Sequence, residues 1–223
     1  DPRTFASLPG YFDIIVADVP CSGEGMFRKD EEAQKQWSED NVALCEARQR
    51  RIMADVWPAL ASDGIFIYST CTFNVYENDG NVAWAAAELG ADFLTAEDIA
   101  GVQDGVIKTR YGYSRVPGHV EGEGQYCGAL RKTSDVEFRD VRGRNLRPVK
   151  GKDMPLPEDL GRLLSCEVTF RSRGETVIAV PAGIYPEISQ LEQNLHVIAA
   201  GCAVGTVKGK TLVPDADLAL ALM

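Results

Sequence analysis

Residues 13–22 read Asp-Ile-Ile-Val-Ala-Asp-Val-Pro-Cys-Ser, and the fold turns on how this stretch is understood. Four apolar positions between the aspartates, three of them β-branched, are too few for a helix. They predict a short strand over 13–18, buried on both faces as in a parallel sheet. Pro20 has no N–H to give to a ladder, so the strand must end there. A polar, glycine-rich loop follows from Cys21 to Asp30.

Downstream, Cys45, Ile52, Met53, Val56 and Leu60 recur at helical spacing while Glu46, Arg50 and Arg51 stay polar, which predicts a helix over Glu39–Ala61. Ser38 suits its N-cap, and Ser62-Asp63-Gly64 its stop. Ile65-Phe66-Ile67-Tyr68 then reads as a second short buried strand running into Ser69-Thr70-Cys71-Thr72. A second helix is expected near Gly80–Leu89, before the apolar Ala91–Leu94. Strand, helix, strand and helix in this order indicate an α/β doubly wound sheet. In such sheets ligands bind just beyond the carboxyl ends of the strands, where both Asp18–Ser22 and Ser69–Thr72 would lie.

From Val106 to Lys132 the pattern becomes strand-like with glycine-rich turns, ending in Gln125–Leu130. Residues 134–155 carry charge, Gly and Pro without periodicity and are expected to be a linker. A compact tail is predicted beyond it. A helix is expected near 157–165, strands at Glu167–Phe170 and Thr176–Val180, and a helix at Ile184–Asn194. Strand-like His196–Ala199 and Gly205–Val207 then precede a turn at Lys208-Gly209-Lys210. The domain reading is therefore 1–133, a basic linker over 134–155, and 156–223.

Composition narrows the class. Of 223 residues 45% are hydrophobic and 25% charged, which excludes wholesale disorder, a collagen repeat and a disulfide-stapled miniprotein. No apolar run approaches the roughly eighteen residues of a membrane span. The start, Asp1-Pro2-Arg3-Thr4, lacks the basic and apolar regions of a signal peptide. Six cysteines without a CxxC pair read as reduced thiols in a cytoplasmic protein. The net charge of −10 hides an asymmetry: residues 1–106 carry −12, residues 107–152 carry +6, and residues 153–223 carry −4. A positive middle is compatible with a local polyanion site and equally with a solvated basic linker around Arg139, Arg142, Arg144, Arg147, Lys150 and Lys152.

Two thiols at neighbouring strand ends, one beside a carboxylate, carry a specific chemistry. A thiolate is a strong nucleophile. Added to C6 of a cytosine, it makes C5 nucleophilic enough to accept a methyl group, with an acid offsetting charge at N3 and the exocyclic amine. A second thiol near C5 could serve release. Against this stands the reading of Cys21 and Cys71 as two buried small hydrophobes, which is kept for Cys45, Cys127, Cys166 and Cys202. Asp18 could instead cap the following loop. His119 and His196 are too isolated for a metal site, and none is expected. Trp37, Trp57 and Trp84 are expected to be core anchors rather than stacking platforms. Gly23-Glu24-Gly25 lacks the Lys-Ser/Thr start of a phosphate loop.

The run Asp18-Val-Pro-Cys-Ser-Gly-Glu-Gly-Met-Phe-Arg-Lys-Asp30, followed by Tyr68-Ser-Thr-Cys-Thr-Phe-Asn74, resembles the Nop/Sun family of RNA cytosine-C5 methyltransferases, in particular its RsmF-like bacterial rRNA branch. Arg115-Val116-Pro117 with Gly122-Glu123-Gly124-Gln125-Tyr126 is similar to that family's later motif. Gly205, Lys208, Pro214 and Leu218-Ala219-Leu220 resemble its closing PUA-like domain. The resemblance implies the back half of a Rossmann-like class I methyltransferase sheet, then a small α+β PUA-like RNA-binding domain. It implies S-adenosyl-L-methionine as cofactor and ribosomal RNA as partner, the small subunit among the candidates, with no membrane partner.

By position, Cys71 would attack C6, Cys21 would assist elimination, and Asp18 would sit between donor and base. Pro20, Ser22, Gly23, Arg28, Lys29 and Arg115 would meet RNA. Gly118 stands where many members have His, and Tyr76 and Asp79 replace acidic residues of the usual Glu-Glu-Asn-Glu. The family's glycine-rich donor cradle has no counterpart here, so a fragment that binds the donor poorly by itself is expected. Three other functions stay open: a non-catalytic RNA-binding or scaffold fragment, a Cys-dependent hydrolase, which would need His119 brought near a thiol, and an exocyclic-nitrogen methyltransferase. The last uses Asn/Asp-Pro-Pro-aromatic and needs no thiol, whereas this chain has Asp18-Val19-Pro20-Cys21.

Overall fold

Strand β1 (Phe12–Asp18) lies parallel to β2 (Leu60–Thr70), with Ile15 opposite Phe66 and Asp18 opposite Ser69. The computed structural model describes residues 1–94, 104–136, 166–209 and 211–221. Helices α1 (Glu31–Gln36) and α2 (Glu39–Val56) join the two strands, and the Ser38 hydroxyl accepts from the Asn41 N–H at 3.1 Å as the N-cap of α2. The helix ends at Val56 rather than Ala61, because Pro58 cannot supply the N–H that another turn would need. A single 3-10 turn, Trp57–Ala59, leads straight into β2. Ser62-Asp63-Gly64, expected as a helix stop, lies inside that strand, where pairing with β1 shifts register and Asp63 takes a φ of 61°.

After β2 a π turn (Tyr76–Gly80) enters α3 (Asn81–Leu89) and then β3 (Ala91–Phe93). Strands β4 (Ile107–Lys108), β5 (Tyr113–Arg115) and β6 (Gln125–Lys132) complete the sheet in the order β1-β2-β6-β5-β4, with β3 also on β6. The sheet is mixed: β1 and β2 are parallel, whereas β6 runs antiparallel to β2, β3 and β5. The expectation that β1 is buried on both faces is corrected. Ile14 is 57% and Val16 65% exposed, because β1 is the edge strand here and only its Ile15 and Ala17 side packs on the core.

That core is built on Met53 and Trp57 from the helical side, and on Phe66, Tyr126 and Leu130 from the sheet. Each such burial contributes about 1.5–3 kcal/mol. The ammonium of Lys132, 2% exposed, donates to the carbonyls of Trp57 at 3.0 Å and Leu60 at 2.8 Å, closing the chain reversal between α2 and β2.

The chain divides into two compact units, residues 1–139 and 140–223. The second holds β7 (Val168–Arg173), β8 (Thr176–Pro181), β9 (Cys202–Lys208) and β10 (Thr211–Pro214) in one antiparallel sheet ordered β10-β9-β8-β7. It also holds α4 (Tyr185–Asn194) and α5 (Ala216–Leu220). Val177, Ala179, Val204 and Leu212 form its core. His196–Ala199, expected as a strand, is irregular: Ile198 is 78% exposed, and its carbonyl takes a bond from Arg173 instead of joining a ladder. The helix expected over 157–165 and the basic run from Arg139 to Lys152 lie outside the described residues. Among the described residues no helix is long and apolar enough to cross a membrane.

Candidate active site

The loops that leave β1 and β2 emerge side by side because those strands are parallel and hydrogen-bonded. Their sulfurs meet: Cys21 Sγ lies 3.1 Å from Cys71 Sγ, and both residues are half-buried. Asp18 stands at the end of β1, and its Oδ1 accepts from the Ser69 hydroxyl at 2.8 Å. The loops are stitched together by further bonds. Gly25 N–H donates to the Cys71 carbonyl at 2.7 Å, and the Ser22 and Thr72 hydroxyls are 3.0 Å apart. A side chain at position 25 would put its Cβ 2.6 Å from the Cys71 carbonyl oxygen, so glycine is required for this approach.

The two thiols titrate as a pair. Hydrogen bonding from Cys21 is the largest influence on Cys71 and lowers its thiol to about 7, against burial and the charge of Asp18, which raise it. The same bond, together with burial, pushes Cys21 well above the ordinary thiol range. Near neutrality the close contact of the two sulfurs therefore favours ionisation at Cys71 over Cys21. Cys45, Cys127 and Cys202 are all shifted upward, chiefly by burial, and have no comparable partner in this pattern. They behave as packing residues, whereas Cys166, expected to be buried, is exposed.

Beneath the sulfurs lies a buried polar layer that periodicity and motif spacing did not reveal. Glu77, 0% exposed, accepts from Ser22 N–H at 3.0 Å, Gln49 Nε2 at 2.6 Å and Asn74 Nδ2 at 2.7 Å. Tyr68 Oη donates to the Glu77 carbonyl at 2.6 Å, and Thr70 Oγ1 to Asn78 Oδ1 at 2.6 Å. Two signals were available. Asn74-x-x-Glu77 has capping-box spacing, and the Asn74 Oδ1 accepts from the Glu77 N–H at 2.9 Å. Gln49 falls on the same helical face as Val42, Met53 and Val56, a polar residue at an apolar position.

The RNA-facing candidates separate. Pro20, Arg28, Lys29 and Arg115 are exposed, and Gly23 is half-buried with φ 77°. Lys29 is ion-paired with Glu123, which ties the first loop to residues 122–124, and the Phe73 ring packs on Gly124. Ser22, expected against RNA, is instead 6% exposed, with its N–H on Glu77 and its hydroxyl on Thr72. Trp57 is a core anchor. Trp37, expected to be one, is 37% exposed and donates through Nε1 to Glu24 at 3.0 Å. Burial opposes ionisation of Glu24, but the Phe73 N–H and neighbouring side-chain donors outweigh it and hold its carboxyl below the usual range.

Residues 1–131 match the family 16S rRNA methyltransferase RsmB/F. The chain belongs to that family. It is 39% identical over 141 residues to the ribosomal RNA small subunit methyltransferase F of Pectobacterium atrosepticum, covering 61% of this chain and 29% of that protein. Against the enzyme of the same name in Aliivibrio fischeri identity is 31% over 234 residues, covering 99% and 49%. The chain thus spans half or less of these curated relatives. Among solved structures, NSun6 of Pyrococcus horikoshii, crystallised with SFG, matches with a TM-score of 0.50 at 24% identity, covering 60% of this chain and 34% of that one. That likeness supports a Rossmann-like methyltransferase fold for the first unit.

The carboxyl ends of β1 and β2 are the position at which α/β sheets take ligands. Asp18 there is exposed, with Oδ1 held by one hydroxyl, so its carboxylate suits a cationic methyl donor. Among the described residues, Asp18 would meet such a cofactor.

Proposed function

We propose that this chain carries the thiol centre of an enzyme that methylates C5 of a cytosine in small-subunit rRNA, with S-adenosyl-L-methionine as donor. The observation that carries the reading is the pair of sulfurs 3.1 Å apart beside Asp18 at the ends of two parallel strands. When bound, the donor supplies an electrophilic methyl carbon. Asp18 would orient it and accept a hydrogen bond from the exocyclic amine of a cytosine turned out of the RNA stack.

The Cys71 thiolate would form a bond to C6, sending the C5–C6 π pair to the methyl carbon as the donor's carbon–sulfur bond breaks. Loss of the C5 proton to water would then return an electron pair to the ring and expel Cys71 as its thiolate. Cys21, in contact with that sulfur, would support the release by hydrogen-bonding the departing thiolate. An exocyclic amine acceptor would need neither sulfur, so the pairing of the thiols favours C5 chemistry. Pro20 would pack on the base, and Gly23, Arg28, Lys29 and Arg115 would meet the RNA strand. The second unit, an antiparallel sheet with α4 and α5, would be a PUA-like RNA-binding domain.

The test is bisulfite sequencing of small-subunit rRNA from cells lacking the gene and complemented with the intact protein or Cys71→Ala. The native sequence should restore one protected cytosine and Cys71→Ala none. Protection by the variant would end the thiol mechanism.

A further inference from the structure

We infer that Glu77 is a positioning residue that sets the Cys21–Cys71 contact, a role resting on the reaction proposed above. A fully buried carboxylate costs several kcal/mol unless its oxygens are fully bonded. Here the donors that meet it are a backbone N–H and two side-chain amides, none of them charged. They come from three elements: the loop after β1, helix α2 and the loop after β2. The arrangement closes around one residue. Glu77 holds the Ser22 N–H, on one side of Cys21, while Gln49, bonded to Glu77, also donates to the Pro20 carbonyl at 2.9 Å on the other side. The peptide groups on both sides of Cys21 are thereby fixed to the loop that carries Cys71.

An amide could not replace this carboxylate. Glu77 Oε1 faces Asn74 Nδ2 and Oε2 faces Gln49 Nε2, so a glutamine in either orientation sets an NH2 against another NH2. The neighbours cannot flip to compensate. Asn74 Oδ1 is held by the Glu77 N–H, and Gln49 Oε1 by Asn81 Nδ2 at 2.6 Å. Glu77→Gln therefore removes little volume and one charge, but breaks the frame that sets the sulfur separation.

The probe is phenylarsine oxide, which bridges two thiols only when they are close, titrated into the intact protein without RNA or donor. Capture at Cys21 and Cys71 is read by mass spectrometry of the digested peptides. Glu77→Gln, and independently Gln49→Met, should weaken capture at least tenfold. Val82→Ala, an equally buried change in the apolar core, should lower stability and leave capture unaltered. If Glu77→Gln does not fold, Gln49→Met decides. Native-like capture by the folded variants overturns the inference, as does an equal loss in Val82→Ala, which would make the effect one of general stability. Neither result bears on whether Cys71 methylates, which the rRNA assay reads separately.

Discussion

The two ends of strand β2 are built from different materials. Its amino-terminal part buries Leu60 and Phe66 against Trp57 and Leu130, and the Trp57 and Phe66 rings lie 5.5 Å apart. Its carboxyl-terminal part buries Tyr68, Ser69 and Thr70, and Thr72 just beyond, each at 6% exposure or less and each bonded to a polar partner. The apolar end is stabilised by surface removed from water and tolerates imprecise geometry. The polar end gains little net stability from its bonds, yet each is costly to leave unmade, so it fixes one arrangement. Buried polar groups are concentrated where two sulfurs must stay in contact.

That contrast can be broken in four places. Phe66→Ala should cost the most, about 3–5 kcal/mol by chemical denaturation. It should leave Cys71 reactivity in the folded protein unchanged. Cys21→Ala should cost little stability but move the titration of Cys71. Followed by iodoacetamide labelling rate against pH, native Cys71 should gain reactivity through about pH 7, whereas without the Cys21 donor the midpoint should rise toward the ordinary thiol value of 9.0 or beyond. The sign follows because the donor stabilises the thiolate, while burial and Asp18, which remain, oppose it. Tyr68→Phe deletes the single hydroxyl that donates to the Glu77 carbonyl and should cost about 1–3 kcal/mol, at the polar end of the same strand. Smallest is Lys29→Ala, whose exposed pair with Glu123 should be worth about 0.2–1 kcal/mol. Its effect should instead show as weaker, less salt-dependent RNA binding in filter assays.

The same contrast explains what the sequence disclosed. β-branched runs and helical periodicity locate β1, α2 and β2, because apolar burial leaves a periodic mark. The strand ends place Asp18, Cys21 and Cys71 together, because parallel pairing brings successive carboxyl ends to one edge. What periodicity missed was set by single residues or by distant partners. Pro58 ended α2 early, Asp63 allowed the irregularity in β2, and His196–Ala199, largely apolar, pairs with no strand among the described residues. The exposure of Ile14 and Val16 depends on what lies beside β1, which the run itself does not encode. The polar layer left only faint traces, at Gln49 and at Asn74-x-x-Glu77, since a buried carboxylate looks like a surface one until its donors are assembled.

The central claim is that Cys71, and not its partner, bonds to the base. The direct measurement is to incubate intact Cys21→Ala protein with small-subunit rRNA and S-adenosyl-L-methionine, denature, digest with nuclease and protease, and weigh the peptides. The account predicts a methylated nucleotide mass on the peptide carrying Cys71 and a slowed release of RNA. An adduct on any other residue, or turnover at the native rate with none at all, would contradict it.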